Sequence, residues 1–158
     1  MAFDPRKLTV KASEAIQRAQ ELAEKKAHRI LRPLHLLKSL LDEEGGLMTS
    51  LLQKMSVKLP QLRKMVEGEL DRLPQSSSSS GEGVNAGPEA MKVLNAAKKQ
   101  ADSMGDEYTS TEHLLVALTQ VDDQAKRLLH LNGVDEADLL EAVKNIRGGQ
   151  KVQDQNPE

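Results

Sequence analysis

The sequence predicts an all-α fold in which two pseudo-symmetric four-helix repeats, about eight helices in all, pack as one domain. First, the motif H-L-L-x-x-L occurs twice, beginning at His35 and His113, which are 113 minus 35, or 78, residues apart. Second, apolar residues recur at helical spacing around both copies. Third, only 1% of the residues are aromatic, whereas β-sheets favour aromatic and β-branched residues. Self-similarity at one period over most of a chain indicates an internal repeat.

The apolar stripes before the two motifs have the same offset. Each stripe has the spacing i, i+3, i+4, i+7 and i+11 of one helix face: Ala12, Ala15, Ile16, Ala19 and Ala23 in the first, and Ala90, Val93, Leu94, Ala97 and Ala101 in the second. After the histidines the offset becomes 77, pairing Leu51, Leu52, Val57, Leu62 and Val66 with Leu128, Leu129, Val134, Leu139 and Val143. We therefore expect a one-residue length difference in a loop near residues 43–46.

Four helices are predicted in the first repeat. Helix 1 spans about residues 9–27, with the hydroxyl of Thr9 capping its first turn. Helix 2 opens at Pro33, since proline suits the first helical position, and closes at glycines 45 and 46. Helix 3 ends before Pro60, and helix 4 covers about residues 59–72.

Four more helices are predicted after a Ser-rich segment that reads as a flexible linker. Helix 5 runs from Pro88 to Gly105, and helix 6 is capped by Ser110 or by Thr109, which with Glu112 fits a capping box. Helix 7 runs from a cap at residue 122 or 123 to residues 132–133, and helix 8 covers 135–148. We expect repeat one at 1–74, the linker at 75–87, repeat two at 88–149, and a disordered polar tail at 150–158.

Composition narrows the possible functions. The chain has no cysteine, so it offers neither disulfides nor a thiolate metal site. A net charge of −2 provides no general attraction to nucleic acid or to anionic membranes. No apolar run reaches the roughly 18 residues of a membrane span. These features predict a cytoplasmic protein that binds neither nucleic acid nor membranes.

No catalytic or metal site is predicted. Neither His35 nor His113 has a second histidine at helical spacing, so both are interpreted as buried structural residues. The acidic run at 42–44 is interpreted as a solvated loop. A phosphate-binding G-x-x-x-x-G-K-[ST] motif is absent, so the chain is not expected to be an enzyme. The methionines leave two interpretations open, core filling or an adaptable peptide-binding surface.

Several segments, taken in order, resemble the N-terminal repeat domain of the Clp family of ATP-driven unfoldases: LTVKASEAIQRAQELA, RPLHLLKSLLDEEGG, VLNAAKKQADSMGDEYTSTEHLLVAL and LLEAVKNIRGGQKVQDQNPE. Within that family they are most similar to the ClpB disaggregases. The ending I-R-G-G-x-x-V-x-D-Q-N-P-E resembles the stretch that leads into the first ATPase module, so residues 150–158 are expected to begin a linker to that module.

The resemblance implies a domain that binds apolar segments of unfolded or aggregated proteins. Matching positions imply a client site made of Thr9, Leu94, Ala96, Asp106, Glu112 and His113. It implies no cofactor for this chain, ATP and Mg in the full-length hexamer, a monomeric fragment, and a DnaK-type partner acting through an absent middle domain. The alternative is an adaptor-docking domain like those of the protease-coupled relatives ClpA and ClpC.

Overall fold

The computed structural model describes residues 3–43, 46–76 and 83–155. A short 3-10 turn at Pro5–Lys7 precedes the first helix. The helices of the first repeat are α1 (Val10–Lys25), α2 (Pro33–Leu41), α3 (Leu47–Lys54) and α4 (Leu59–Asp71). Those of the second are α5 (Pro88–Ser103), α6 (Thr111–Gln120), α7 (Gln124–Leu131) and α8 (Glu136–Arg147). The predicted all-α fold is confirmed.

The helix starts reproduce the offsets seen in the sequence. Helices α1 and α5 begin at residues 10 and 88, and α2 and α6 at 33 and 111, which are separations of 78. Helices α3 and α7 begin at 47 and 124, and α4 and α8 at 59 and 136, which are separations of 77. The one-residue difference therefore lies between the second and third helix of each repeat, where we expected it; residues 44 and 45 of that loop lie outside the described ranges.

Two backbone pairings tie the repeats together and were not predicted. Strand β1 (Ile30–Leu31) pairs in parallel with β2 (Asn85–Ala86), so that Leu31 lies opposite Ala86. A parallel bridge also joins Leu8 to Thr109. Because Leu8 is 78 residues before Ala86 and Leu31 is 78 before Thr109, the two pairings are pseudo-twofold equivalents. A strand is recognised in a sequence by alternating apolar and polar residues, and two residues are too few to show that pattern.

The core lies between the repeats. Helices α2 and α6 contact each other, and the other contacts between repeats occur in equivalent pairs: α1 on α6 with α2 on α5, α2 on α7 with α3 on α6, and α4 on α7 with α3 on α8. One hydrophobic cluster includes side chains from all eight helices. Each repeat thus covers apolar surface that the other leaves open, as stacked repeats do.

The N-caps of α1, α6 and α7 are among the residues predicted from the sequence, but the predicted capping box of α6 is not formed. Thr9 accepts a hydrogen bond from the Ala12 amide at 3.1 Å, and Asp123 accepts one from the Ala125 amide at 3.2 Å. The proposed box of Thr109 with Glu112 is wrong, because the residue that caps α6 is Ser110. The side chain three positions later, which reaches back to the Ser110 amide, is then His113 rather than a glutamate.

The tail at 150–158 was expected to be disordered, and this is wrong for residues 150–155, here called the strap. The strap crosses the loop between α5 and α6, where the amides of Glu107 and Tyr108 donate to the Val152 carbonyl at 2.8 and 3.1 Å. The Val10 amide donates to the Gln155 carbonyl at 2.6 Å. Backbone hydrogen bonds do not depend on side-chain pattern, so the sequence did not reveal them.

The described residues include no helix with the length and apolar character needed to cross a membrane.

Candidate functional site

The repeated histidines hold the starts of their helices from inside the protein. The Nδ1 atom of His35 accepts the Arg32 backbone N–H at 2.9 Å, and that of His113 accepts the Ser110 N–H at 2.8 Å. Both side chains are 0% exposed, which confirms them as buried residues. Because Nδ1 is an acceptor, each neutral ring carries its proton on Nε2, where it donates to a partner. The group that interacts with Nε2 differs between the two repeats.

In repeat two the partner is a carboxylate within a charged cluster. His113 Nε2 donates to Asp106 Oδ2 at 2.7 Å, and Arg147 Nη1 donates to the same oxygen at 2.6 Å. Arg147 Nε also donates to Glu112 Oε2 at 3.4 Å. The second oxygen of Asp106 accepts the Val152 amide at 2.9 Å. Both carboxylates are buried, so the cluster joins the start of α6, the end of α8 and the strap.

The network keeps Asp106 ionised. Burial alone raises the pKa of a carboxyl group, but the hydrogen bonds from His113, the Val152 amide and Arg147 outweigh burial and lower the pKa of Asp106 to about 2. A charge-assisted pair with arginine is also geometrically demanding. Asp106 therefore fixes both Arg147 and the strap at neutral pH.

In repeat one the partner is another histidine. His35 Nε2 lies 2.9 Å from His28 Nδ1, so the neutral pair is held by one N–H to N hydrogen bond. Burial, followed by the influence of His28 and Arg32, lowers the pKa of His35 to about 4. Burial, followed by the positive charge of Lys26, also lowers the pKa of His28. This pair is thus neutral at pH 7.

A cavity of about 420 Å³ lies beside the charged cluster of repeat two. The starts of α1 and α6, the loop between α2 and α3, the first turn of α3, the end of α8 and the strap all contribute: Thr9, Lys11, Glu43, Gly46, Leu47, Ser50, Ser110, Thr111, Glu112, Ile146, Arg147, Gln150, Lys151 and Val152. We call it the inter-repeat cavity. It combines polar groups with the apolar side chains of Leu47, Ile146 and Val152, a mixture typical of ligand sites.

The structure brings four of the six candidate site residues together. Thr9 and Glu112 line the inter-repeat cavity, while Asp106 and His113 lie behind it, in contact with Arg147. Leu94 and Ala96 on α5 are not among its lining residues. Leu94 is 4% exposed and belongs to the hydrophobic core, with Ala96 packed against that core.

The sequence did not single out three residues that complete the site. Arg147 is the equivalent of Leu70, which lies 77 residues earlier and is buried in repeat one. A charged residue at a position that is apolar in the other repeat is the sequence signal that could have identified it. Val152 belongs to the tail that was expected to be disordered. Glu43 was interpreted as part of a solvated acidic loop, and this is wrong, because Glu43 is only 8% exposed.

Within the described ranges, no three or more histidine, aspartate or glutamate side chains are grouped so that they could hold a metal ion. The cluster of Asp106, Glu112 and Arg147 is held by its own internal hydrogen bonds instead. These hydrogen bonds hold Arg147 between the two carboxylates.

The sequence is similar to those of known proteins along its whole length. The chain is 40% identical over 158 residues to the chaperone protein ClpB of Rhodopirellula baltica and 40% identical over 155 residues to ClpB 1 of Thermosynechococcus vestitus, covering 100% and 98% of this chain. It spans 18% of the length of each relative.

Solved structures share the fold. The N-terminal domain of Hsp104 from Candida albicans superposes with a TM-score of 0.83 at 23% identity, covering 94% of this chain and 96% of that one. The N-terminal domain of the E. coli ClpV1 ATPase gives a TM-score of 0.78 at 24% identity, covering 98% and 92%. The model of the Clp repeat (R) N-terminal domain matches residues 7–132, and the chain therefore belongs to that family.

Proposed function

We propose that this chain is the client-engaging N-terminal domain of a ClpB-type ATP-dependent disaggregase, and that apolar segments of unfolded or aggregated proteins bind weakly at the inter-repeat cavity. The observation that carries the proposal is the position of that cavity, which Thr9 and Glu112 line where the two repeats meet. The similarity to ClpB chaperones along the whole chain supports the subtype.

The cavity suits an extended polypeptide. Hydroxyls at two helix starts, Thr9 and Ser110, lie near the apolar side chains of Leu47 and Ile146. A peptide needs both kinds of contact, since its backbone amides require partners once buried. A solved structure of a more distant relative, the N-domain of ClpV, contains a VipB peptide, which supports peptide binding as a use of this fold.

Binding by one copy is expected to be weak. If a client segment buries roughly 300 Å² of apolar surface at about 25 cal/mol per Å², the gross stabilisation is near 7 to 8 kcal/mol before ordering costs. The net dissociation constant then falls between tens of micromolar and millimolar. Six copies on a hexameric ring raise the apparent affinity through effective concentration.

The remaining expectations concern the longer protein. ATP, Mg and the hexamer belong to modules outside this chain, and a DnaK-type chaperone acts through the middle domain. The domain itself is a cytoplasmic monomer without enzymatic activity. Sedimentation and an ATPase assay of the purified chain test this, and a hexamer or measurable hydrolysis would overturn it.

The client site is tested with a permanently unfolded protein, reduced and carboxymethylated α-lactalbumin, by fluorescence anisotropy. Thr9→Val removes the hydroxyl, whereas the matched control Thr9→Ser keeps it and the cap on Ala12. We expect Thr9→Val to weaken binding several-fold and Thr9→Ser to leave it within twofold. Equal affinities for all three proteins would show that clients bind elsewhere.

The adaptor-docking function makes a different prediction. A docking domain binds one folded partner stoichiometrically and does not bind carboxymethylated α-lactalbumin. Failure of the unfolded protein to bind at millimolar concentration, together with capture of one folded partner that Thr9→Val releases, would favour docking over disaggregation.

A further inference from the structure

A buried carboxylate in the wall of the inter-repeat cavity has no hydrogen-bond partner. Both carboxylate oxygens of Glu43 are buried without one, and the side chain is 8% exposed. The carboxylate is folded over Gly46, where an added Cβ would clash with Oε1 of Glu43. Its nearest cation is Lys11, with Nζ 3.8 Å from Oε1, an ion pair beyond hydrogen-bonding distance. Such a group carries an uncompensated desolvation cost.

The other charged groups around the cavity are hydrogen-bonded within the protein or, in the case of Lys11, largely hydrated. Glu112 accepts from Ser110 Oγ and from Arg147, which also donates to Asp106. Lys151 Nζ donates to the Met104 carbonyl at 2.7 Å. Lys11 has a side chain that is 58% exposed, so it remains largely hydrated. Among the described lining residues, the carboxylate open to a new donor is therefore that of Glu43.

An ionised carboxylate only accepts hydrogen bonds, so its ligand must be a donor, and a cation is favoured. A long basic side chain also has an aliphatic stem, which packs on apolar surface while its charged end is solvated or paired. Leu47 and Ile146 offer that surface in the same cavity. Pairing with such a ligand requires the Glu43 side chain to rotate away from Gly46.

We propose that Glu43 is a specificity residue for basic side chains of client polypeptides, pairing with a client arginine or lysine in the inter-repeat cavity. This inference rests on the proposed client binding and deepens it. It implies that clients with a basic residue within an apolar stretch bind better than uniformly apolar ones. Arginine should exceed lysine, because its guanidinium meets a carboxylate through two parallel hydrogen bonds.

The test uses two capped nine-residue peptides of leucine and serine that differ only at the central residue, arginine in one and citrulline in the other. Citrulline keeps the size and planar shape of arginine but has no charge, and a carbonyl oxygen replaces two of the five N–H donors of the guanidinium. We expect the arginine peptide to bind the wild-type chain about tenfold more tightly by NMR titration, a ratio consistent with one charge-assisted pair. Glu43→Gln should remove the difference.

Glu67→Gln is the matched control, because Glu67 is an exposed carboxylate on α4 that pairs with Lys38 at 3.1 Å. It should retain the tenfold preference. Thermal unfolding separates a ligand role from a structural one. Removing a buried charge that has no hydrogen bond and only the distant, exposed Lys11 as its cation should raise the melting temperature of Glu43→Gln by about 2 to 4 °C. A carboxylate needed for folding would instead make this variant less stable.

The other possible results contradict either the role of Glu43 or the proposed client binding. Equal binding of both peptides to the wild type, or a preference that persists in Glu43→Gln, overturns the role of Glu43 and leaves client binding intact. A lower melting temperature of Glu43→Gln also counts against the inference. If neither peptide binds at millimolar concentration, the proposed client function fails together with it.

Discussion

Repeat one and repeat two share a scaffold but differ at three equivalent positions around the capping histidine. Where repeat one has His28, Leu34 and Leu70, repeat two has Asp106, Glu112 and Arg147. Both leucines are 0% exposed, so repeat one fills with apolar side chains the volume that repeat two gives to a charged cluster. The capping histidine is the same in both. A repeat can thus keep its fold through one buried interaction while one copy acquires polar side chains that line a cavity.

The apolar side chains of repeat one and the charged cluster of repeat two contribute differently to stability. Buried leucines stabilise by transfer out of water, whereas a buried ion pair roughly balances desolvation against attraction and fails badly when one partner is lost. Repeat two therefore depends on a complete network, and the predictions below test that dependence.

The largest effect is expected for Arg147→Leu. This change leaves Asp106 and Glu112 as buried carboxylates without their cation, and it should lower the free energy of unfolding by about 3 to 5 kcal/mol. Urea denaturation measures it. The control is the triple variant Asp106→His, Glu112→Leu, Arg147→Leu, which gives repeat two the residues of repeat one. It should lose less stability than Arg147→Leu alone; a larger loss would show that the two environments are not equivalent.

The next effect is a pH dependence that distinguishes the repeats. The pKa of His35 falls from 6.5 to about 4 on folding, so between these values the unfolded state binds more protons and stability rises with pH. Acidification from pH 6.5 should therefore destabilise the protein, by about 2 kcal/mol from His35 at pH 5. The Asp106 contribution is lost lower, as pH falls from 3.8 to 2, because its pKa is lowered to about 2.

Urea denaturation at several pH values checks this sequence of losses. His35→Gln cannot titrate, so its stability should vary less between pH 7 and 5 than that of the wild type, whatever its stability at pH 7. If the wild type is equally stable at pH 7 and pH 5, the buried neutral histidine pair is refuted.

The smallest effect concerns two left-handed turns. Repeat two has Gly105 and Gly133 where the backbone φ is positive, at +74° and +82°, whereas repeat one has Ala27 and Ser56 with φ of 59° and 62°. A non-glycine residue there costs roughly 1 to 2 kcal/mol, partly offset by the greater freedom of glycine in the unfolded chain. We expect Ala27→Gly to stabilise by about 0.5 kcal/mol.

Gly105→Ala is the reciprocal test of these turns. An added Cβ would meet only the flexible Lys151 side chain, at 3.6 Å, so its cost is conformational. Thermal unfolding should show destabilisation by about 1 kcal/mol. A stabilised Gly105→Ala would mean that the turn does not require a left-handed residue.

The repeat was predictable because helix periodicity and the offset between the two copies can both be read directly along the sequence. The stripes from Ala12 and Ala90 predicted α1 and α5, and the change of offset located the loop difference. The pairing of Leu31 with Ala86 and the strap through Val152 depend on backbone contacts between distant segments, which no local pattern encodes.

The candidate site was predictable only in part. Thr9, Asp106, Glu112 and His113 came from the resemblance to the Clp N-terminal domain. The structure places the last three in contact with one another or with Arg147, and Thr9 in the lining of the same cavity. Leu94 satisfied the same apolar periodicity whether it faced a groove or the core, so sequence could not separate the two positions. Glu43 looked solvated because adjacent acidic residues usually are, and its burial depends on the fold of the loop.

The most direct test is a two-dimensional NMR titration of the ¹⁵N-labelled chain with carboxymethylated α-lactalbumin. If the charged cluster of repeat two borders the client site, the shifting amides should be those around the inter-repeat cavity, including Thr9, Glu112, Arg147 and Val152. The equivalent region of repeat one, at His28 and Arg32, should stay unchanged. Shifts centred on His28 and Arg32, or on Leu94 and Ala96 alone, would contradict the assignment of client binding to the inter-repeat cavity.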